Sequence, residues 1–248
     1  MTTPTVGILY PGYSAEDDYP RAERLLAGPR LALVHTEMRE DAHRVDALLD
    51  IGGDDVLAAG AAALQSVPGP GPLDSIVWAC TSGSFVFGWD GATAQVEALG
   101  KAAGVPASST SFAFLDACAH LGVTRVAVGA TYPDDVAERF VAFLARAGVT
   151  VVRLSARGIV TAAEVGTLPA TDVLDFAAGV MDDARAEHPD VEALLLPDTA
   201  LHTVDLLDAL ETRVGAPVLT ANQVSIWQGL RLAGASGPRP GLGALFAR

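Results

Sequence analysis

The chain has 248 residues, half of them apolar, which is enough to bury one large hydrophobic core or two small ones. Its formal net charge is −14 at pH 7, with 30 acidic residues against 16 lysines and arginines. No broad basic surface is therefore available to neutralise phosphates, and the composition argues against nucleic acid or an anionic membrane as a partner.

Short β-rich runs alternate with longer helical patterns along the whole chain, which is typical of strand–helix units around a parallel sheet and predicts the α/β fold class. Strands are predicted over Val6–Tyr10, Leu31–His35, Ile76–Ala79, Val126–Gly129, Val149–Leu154, Ala193–Leu196 and Val218–Thr220. Helices are predicted over Ala42–Ala59, Ala92–Ala103, Phe112–Leu121, Asp134–Ala147, Val173–Glu187 and Val204–Arg213. The alternating Pro/Gly run at 67–72 predicts an exposed connection.

The two halves of the chain share a weak internal repeat. In each half an apolar strand ends in a short polar segment, a helix follows, and a Gly-x-Pro triplet at 104–106 or 215–217 introduces a short strand and another helix. Two similar Rossmann-like lobes, related by a pseudo-twofold axis and with the active site in the cleft between them, would produce this pattern. Chance similarity between α/β units is the alternative. We predict a first lobe from 1–108 with 221–248, and a second lobe from 109–220.

A thiol, three hydroxyl groups and a glycine directly follow the third predicted strand, in Cys80-Thr81-Ser82-Gly83-Ser84. At such a strand end, backbone N–H groups and hydroxyls can point into the cleft together and bind a carboxylate or an enolate. These donors, with a helix N-terminus behind them, would also lower the pKa of Cys80 and favour the thiolate. A small buried cysteine in an ordinary turn explains the segment equally well.

The matching position of the second half carries a carboxylate. Asp198 follows the apolar strand that ends at Leu196. An acid at this point can take part in acid–base chemistry in the cleft. Asp is also a preferred N-cap residue, so capping of the next helix is the alternative explanation.

Two further positions can line the cleft. Tyr132 comes just after the strand that ends at Gly129, where its hydroxyl would be another donor. Pro11 lies in the turn after the first strand, although a purely structural Pro-Gly turn is the alternative there. His202 follows Asp198 closely enough to be near the cleft, whereas the other four histidines show no mutual spacing and are predicted to be structural.

Sequence patterns for bound cofactors are absent. The only lysine, Lys101, follows a glycine at a helix end and is predicted to be solvated, which argues against a Schiff base with pyridoxal phosphate. No CxxC or HExxH metal spacing occurs, and no GxGxxG or P-loop sequence follows a strand. Two cysteines at unrelated positions and an N-terminus without a signal-peptide pattern favour a cytoplasmic protein. No apolar run reaches the roughly 18 residues of a membrane-spanning helix.

Six segments carry a resemblance to a known family. They are Cys80 to Phe85, Gly122 to Ala127, Tyr132 to Arg139, Gly215 to Val218, Trp227 to Gly234 and Arg239 to Gly241. Several spaced matches in the same order are far more specific than any one of them. Through them the chain resembles, over nearly its whole length, the arylmalonate decarboxylase and maleate isomerase branch of the aspartate/glutamate racemase superfamily.

The resemblance implies two similar lobes with a site between them, no metal, no organic cofactor, and a possible homodimer. In decarboxylases of this branch, an oxyanion pocket holds the retained carboxylate, and the residues that match it here are Thr81, Ser82 and Tyr132 with backbone amides near Thr199 and Ala200. In isomerases of the branch, the cysteine that matches Cys80 adds to the double bond. The chain departs from the family pattern at Asp198, where a second cysteine is typical. The decarboxylases keep that second cysteine and usually have glycine at the position of Cys80, the reverse of this chain.

We therefore predict an enzyme without a cofactor that acts on a small mono- or dicarboxylate, with Cys80 and Asp198 as its catalytic pair. The first candidate reaction is cis–trans isomerisation as in maleate isomerase, in which Cys80 adds to the alkene and is then eliminated. The second is decarboxylation of an arylmalonate type, with Cys80 as the proton donor. A racemase of the Asp/Glu type and an inert carboxylate-binding protein are further alternatives.

Overall fold

The structure, a computed structural model, describes residues 3–12, 14–66, 71–235 and 237–247. The strands are β1 (Thr5–Tyr10), β2 (Arg30–His35), β3 (Ser75–Trp78), β4 (Ala107–Ser109), β5 (Arg125–Ala130), β6 (Thr150–Ala156), β7 (Ala193–Leu196) and β8 (Val218–Thr220). The helices are α1 (Asp18–Leu26), α2 (Val45–Ile51), α3 (Asp54–Ser66), α4 (Ser82–Phe85), α5 (Gly88–Ala103), α6 (Thr110–Leu121), α7 (Asp134–Arg146), α8 (Ala162–Gly166), α9 (Ala170–Glu187), α10 (Leu207–Val214), α11 (Ala221–Leu232) and α12 (Gly243–Phe246). A 3-10 turn, Val204–Leu206, precedes α10.

The strands form two four-stranded sheets, and every strand pair in them is parallel. The first sheet has the order β2-β1-β3-β4 and the second has the order β6-β5-β7-β8, so the two sheets repeat one topology. This confirms the predicted α/β class and is consistent with two Rossmann-like lobes. Because β3 and β7 hold equivalent places in their sheets, Cys80 and Asp198 each follow two residues after the end of an equivalent strand.

The inner strands explain why apolar runs predicted the sheets so well. Every residue of β1, β3 and β7 is buried. Parallel strands that are covered by helices on both faces favour continuous apolar sequences rather than alternating ones. Helices α6 and α11, which follow the last strands of the two sheets, pack against each other. None of the helices in the described parts of the chain is long and apolar enough to cross a membrane.

The helix predicted over Ala42–Ala59 is wrong as a single element. The structure has α2 and α3 instead, separated at Gly52 and Gly53. A Cβ atom at Gly52 would lie against the carbonyl oxygen of Gly83, well inside van der Waals contact. The Gln95 amide donates to the carbonyl oxygens of Gly52 and Gly83 at 2.7 and 2.9 Å, and so ties the break to α4. Of the predicted Pro/Gly connection, residues 67–70 lie outside the described residues.

Candidate active site

A small cavity lies at the carboxyl ends of the strands, between the two sheets. Six of the residues predicted for the site line it: Pro11, Cys80, Ser82, Asp198, Thr199 and Ala200. Its volume is about 30 Å³, room for about two water molecules. The two polar segments that follow β3 and β7 are therefore brought together as predicted, in a cavity too small for a dicarboxylate.

The Cys80 thiol is buried, with 4% of the residue exposed. The Gly83 amide donates to Sγ at 3.3 Å, and the Ser82 hydroxyl lies 3.8 Å from it. Burial raises the pKa of Cys80 to about 11, the negative charge of Asp198 adds to the rise, and the hydrogen bonds from Gly83 and Ser82 only reduce it. The predicted lowering of the Cys80 pKa is therefore wrong, because desolvation of the thiolate outweighs the local donors.

Thr81 and Tyr132 stand behind the cavity wall and are fully buried. The Thr81 hydroxyl oxygen has no hydrogen-bond partner among the described residues. The Tyr132 hydroxyl donates to the Pro197 carbonyl oxygen at 2.6 Å and lies near the hydroxyls of Thr81 and Ser82 without a hydrogen bond to Thr81. Burial, followed by the charges of Asp198 and Cys80, raises the pKa of Tyr132 well above its usual value. Tyr132 therefore remains a neutral phenol and a hydrogen-bond donor.

Asp198 is buried, with 4% of the residue exposed, and both of its carboxylate oxygens accept hydrogen bonds. The Thr131 hydroxyl donates to Oδ2, and the Ala200 amide donates to Oδ1 at 2.8 Å. The alternative role as a helix cap is not what the structure has, because Asp198 closes a turn and the next helical element begins only at Val204. Thr131, which the sequence did not single out, thus holds the carboxylate at the cavity wall.

The turn after Asp198 is held from the first sheet by polar side chains that the sequence analysis missed. The Tyr10 hydroxyl donates to the Thr199 carbonyl oxygen at 3.0 Å, and the Asn222 side-chain amide donates to the same oxygen at 3.1 Å. Asp18 accepts from the Thr203 amide at 2.9 Å and from the Asn222 side chain at 3.0 Å. Burial raises the pKa of Asp18, against these hydrogen bonds. No sequence pattern predicts these contacts.

One loop covers the cavity, and we call residues 36–44, between β2 and α2, the covering loop. Its Asp41 carboxylate accepts from the amides of Ala162 and Ala163 at 2.7 and 2.9 Å, at the start of α8. The His43 amide donates to the Val160 carbonyl oxygen at 2.7 Å, and Nδ1 lies 2.9 Å from the Ile159 carbonyl oxygen. A carbonyl only accepts, so Nδ1 carries the hydrogen of this bond. His43 also lines the cavity, which its isolated position in the sequence did not indicate.

Apolar side chains complete the wall. Met38 of the covering loop and Leu48 and Ile51 of α2 line the cavity on the side of the first sheet. Ser14, whose hydroxyl lies 2.8 Å from that of Tyr10, lies at its other side. The cavity therefore combines a donor-rich floor with an apolar wall.

His202 does not line this cavity, and its Nδ1 lies 3.0 Å from an Asp17 carboxylate oxygen. Within the described chain, Asp17, Asp18 and His202 are the group of potential ligands close enough to hold a metal ion. The Arg21 guanidinium already pairs with Asp17 at 2.6 Å, and Asp18 accepts hydrogen bonds from neutral donors. This arrangement is that of an ion-pair network rather than a metal site.

Sequence comparison places the chain among known proteins. A family profile described as arylmalonate decarboxylase matches residues 42–246. Arylmalonate decarboxylase of Bordetella bronchiseptica is 34% identical over 167 residues, which make up 67% of this chain and 68% of that protein.

Solved structures agree with this over almost the whole chain. An arylmalonate decarboxylase variant, with one glycine changed to cysteine and one cysteine to serine and in its liganded form, has a TM-score of 0.82 at 28% identity and covers 98% of this chain and 99% of its own. Maleate isomerase of Pseudomonas putida S16 with maleate has a TM-score of 0.83 at 20% identity, covering 98% and 97%. A maleate cis-trans isomerase mutant of Nocardia farcinica, with a covalently bound succinylcysteine intermediate, has a TM-score of 0.84 at 22% identity and covers 98% of both chains. The two isomerase structures share the fold.

Proposed function

Because the chain belongs to the arylmalonate decarboxylase and maleate isomerase family of the aspartate/glutamate racemase superfamily, we propose that it removes one carboxyl group of a small malonate as carbon dioxide, with Cys80 as the proton donor. The family profile and the 34% identical relative both carry the name of the decarboxylase. This is the second of the reactions that the sequence suggested, and it replaces isomerisation as our first candidate.

The protonation state of Cys80 distinguishes decarboxylation from isomerisation. An isomerase needs a thiolate that adds to the double bond of its substrate. A decarboxylase needs a thiol that gives its proton to carbon. With a pKa of about 11, Cys80 stays in the thiol form at neutral pH. Its buried position beside the charge of Asp198 therefore favours proton donation.

Hydrogen-bond donors that surround the cavity suit the retained carboxylate. Ser82 and Thr199 line the cavity and offer a hydroxyl and a backbone amide, and the buried Thr81 hydroxyl lies behind the wall. The Tyr132 hydroxyl and the Ala200 amide would join them by releasing their hydrogen bonds to Pro197 and Asp198. Donors of this kind stabilise the negative charge that develops when a malonate becomes an enediolate. The Thr81 hydroxyl is buried without a hydrogen-bond partner among the described residues, which supports a role in binding an oxyanion.

The departing carboxylate would face the apolar wall of Met38, Leu48 and Ile51, which favours loss of its charge as neutral carbon dioxide. The bond between the α-carbon and this carboxylate breaks, and its electron pair stays on the substrate as the enediolate. The proton of the Cys80 thiol then moves to the α-carbon and leaves a thiolate, which takes a proton from water. Asp198 raises the pKa of Cys80 and so favours the return of this proton.

Proton NMR in deuterated buffer, with phenylmalonate and maleate as separate substrates, tests the proposal. We expect phenylmalonate to lose carbon dioxide and to gain one deuterium at the α-carbon. Cys80→Ala should slow this reaction by about a hundredfold or more, the usual contribution of a positioned proton donor. Cys118→Ala is the matched control, because Cys118 is equally buried but lies on α6 outside the cavity lining, and it should keep the rate.

Two results would contradict the proposal. The first is Cys80-dependent conversion of maleate to fumarate without loss of carbon dioxide from phenylmalonate or smaller malonates, which would identify an isomerase. The second is binding of malonates without turnover of either substrate class, which would identify an inert binding protein.

A further inference from the structure

The charged residues that line the cavity are mainly acidic, although a dicarboxylate substrate would bring two further negative charges. Three acidic residues line the cavity, Glu40, Asp41 and Asp198, and none of the described lining residues is a lysine or an arginine. His43 also lines it, with its Nδ1 hydrogen-bonded to the Ile159 carbonyl oxygen. The whole chain carries a net charge of −14, so the electrostatic potential of the rest of the protein does not compensate the negative charge of the cavity.

The three carboxylates differ in how far their charge is already compensated. Glu40 is exposed and pairs with Arg44 at 3.1 Å, so it contributes little to the cavity. Asp41 accepts its hydrogen bonds from backbone amides of α8, which are neutral donors. Asp198 is the most buried of the three and is held by the Thr131 hydroxyl and the Ala200 amide, with no cationic partner among the described residues.

The negative charge of Asp198 acts on ionisable groups at and near the cavity. Its charge contributes to the raised pKa values of Tyr10, Cys80 and Tyr132, which lie on three different segments of the chain. A malonate with an apolar substituent would bring two negative charges to this wall without a cation to offset them. The hydroxyl and amide donors can serve one carboxylate, and the other would meet the repulsion of Asp198.

We propose, on the basis of the proposed decarboxylase function, that the substrate is a malonate bearing an ammonium group on the α-carbon, and that Asp198 binds this group. The ammonium supplies the cation that the cavity lacks, and Asp198 offers carboxylate lone pairs for charge-assisted hydrogen bonds. Decarboxylation of such a substrate breaks one α-carbon to carboxyl bond, releases carbon dioxide, and places the Cys80 proton on the α-carbon. The product is an α-amino acid.

Aminomalonate and methylmalonate test the inference, because the ammonium and methyl substituents are similar in size and differ in charge. The rate of carbon dioxide release is measured for both with wild type, Asp198→Asn and Glu40→Gln, after subtraction of the rate without enzyme. We expect wild type to have a kcat/KM for aminomalonate at least about tenfold above that for methylmalonate, which is a modest value for a desolvated ion pair. Asp198→Asn should bring the ratio close to one, whereas Glu40→Gln should retain it.

The outcomes separate the two proposals. Equal or faster decarboxylation of methylmalonate by wild type would overturn the ammonium inference and leave the decarboxylase intact. If neither compound nor phenylmalonate releases carbon dioxide, the proposed function fails. Calorimetric titration of the Cys80→Ala variant with both compounds then still tests the charge argument: tighter binding of aminomalonate supports it, and equal or weaker binding overturns it.

Discussion

Cys80 is surrounded by hydrogen-bond donors, yet its pKa rises to about 11. The Gly83 amide at 3.3 Å and the Ser82 hydroxyl would stabilise a thiolate, but a thiol with only 4% of its residue exposed loses far more hydration when it ionises. The negative charge of Asp198 acts in the same direction. The sequence around Cys80 suggested a reactive thiolate. In the folded protein, the same residue is a stable thiol because it is buried.

Titration of Cys80 in a Cys118→Ala background checks this. The ultraviolet absorbance of the thiolate should reach its midpoint near pH 11, two units above the ordinary value of 9.0, and decarboxylation should fall over the same range. Because the folded-state pKa is raised, the neutral thiol favours folding fully below pH 9, and this part of the free energy of unfolding is lost between about pH 9 and 11. Asp198→Asn should lower the midpoint. A midpoint well below neutral pH in the Cys118→Ala protein would leave Cys80 mostly as thiolate and would contradict a thiol proton donor.

At the scale of secondary-structure elements, the break between α2 and α3 shapes the site. Gly52 lets the end of α2 approach the Gly83 carbonyl oxygen at α4, and Gln95 of α5 bonds to both carbonyls. Helix α4 begins at Ser82, and its Gly83 amide donates to Cys80. The position of the thiol donors therefore depends on a close contact between two helices from different parts of the chain.

Gly52→Ala should disturb this contact. The added methyl group would overlap the Gly83 carbonyl oxygen, and relief of the overlap must move α4. We expect a loss of about 1–3 kcal/mol in the free energy of unfolding, measured by urea denaturation, with reduced decarboxylation. Gly179→Ala in the middle of α9 is the matched control, since a Cβ atom there meets nothing within 4 Å. It should stabilise by about 0.5–1 kcal/mol. Equal effects of the two changes would show that the contact has no importance.

At the scale of the whole molecule, hydrogen bonds across the cavity join the two sheets. Tyr10 at the end of β1 bonds to Thr199 after β7. The covering loop bonds to the first residues of α8 through Asp41 and to the segment before α8 through His43. The cavity volume of about 30 Å³ is too small for the proposed malonate. We therefore expect the covering loop and α8 to separate when the proposed substrate binds, as lids do in many enzymes.

Asp41→Ala should weaken this closure. Loss of the two hydrogen bonds leaves the Ala162 and Ala163 amides at the start of α8 without their acceptor, which costs about 1 kcal/mol, while the Thr161 cap of this helix remains. We expect faster hydrogen exchange at these two amides and faster alkylation of Cys80, both measured by mass spectrometry. Asp46→Ala is the control, because Asp46 is exposed and its ion pair with Arg44 lies at the surface. Unchanged alkylation in Asp41→Ala would argue against opening at this loop.

The sequence by itself determined the α/β class, most strand positions and the equivalent places of Cys80 and Asp198 after their strands, since apolar runs and their order along the chain are local properties. Parallel strands deliver their carboxyl ends to one edge of a sheet, so each polar segment lies at the carboxyl edge of its own sheet, and the packing of the two sheets brings these edges together. Only the tertiary structure decided the protonation of Cys80 and the break at Gly52. Both depend on atoms contributed from elsewhere, as do Tyr10 bonding to Thr199 from 189 positions away and His43 to Ile159 from 116. Desolvation and close contact arise from the packing of distant segments, which no local pattern records.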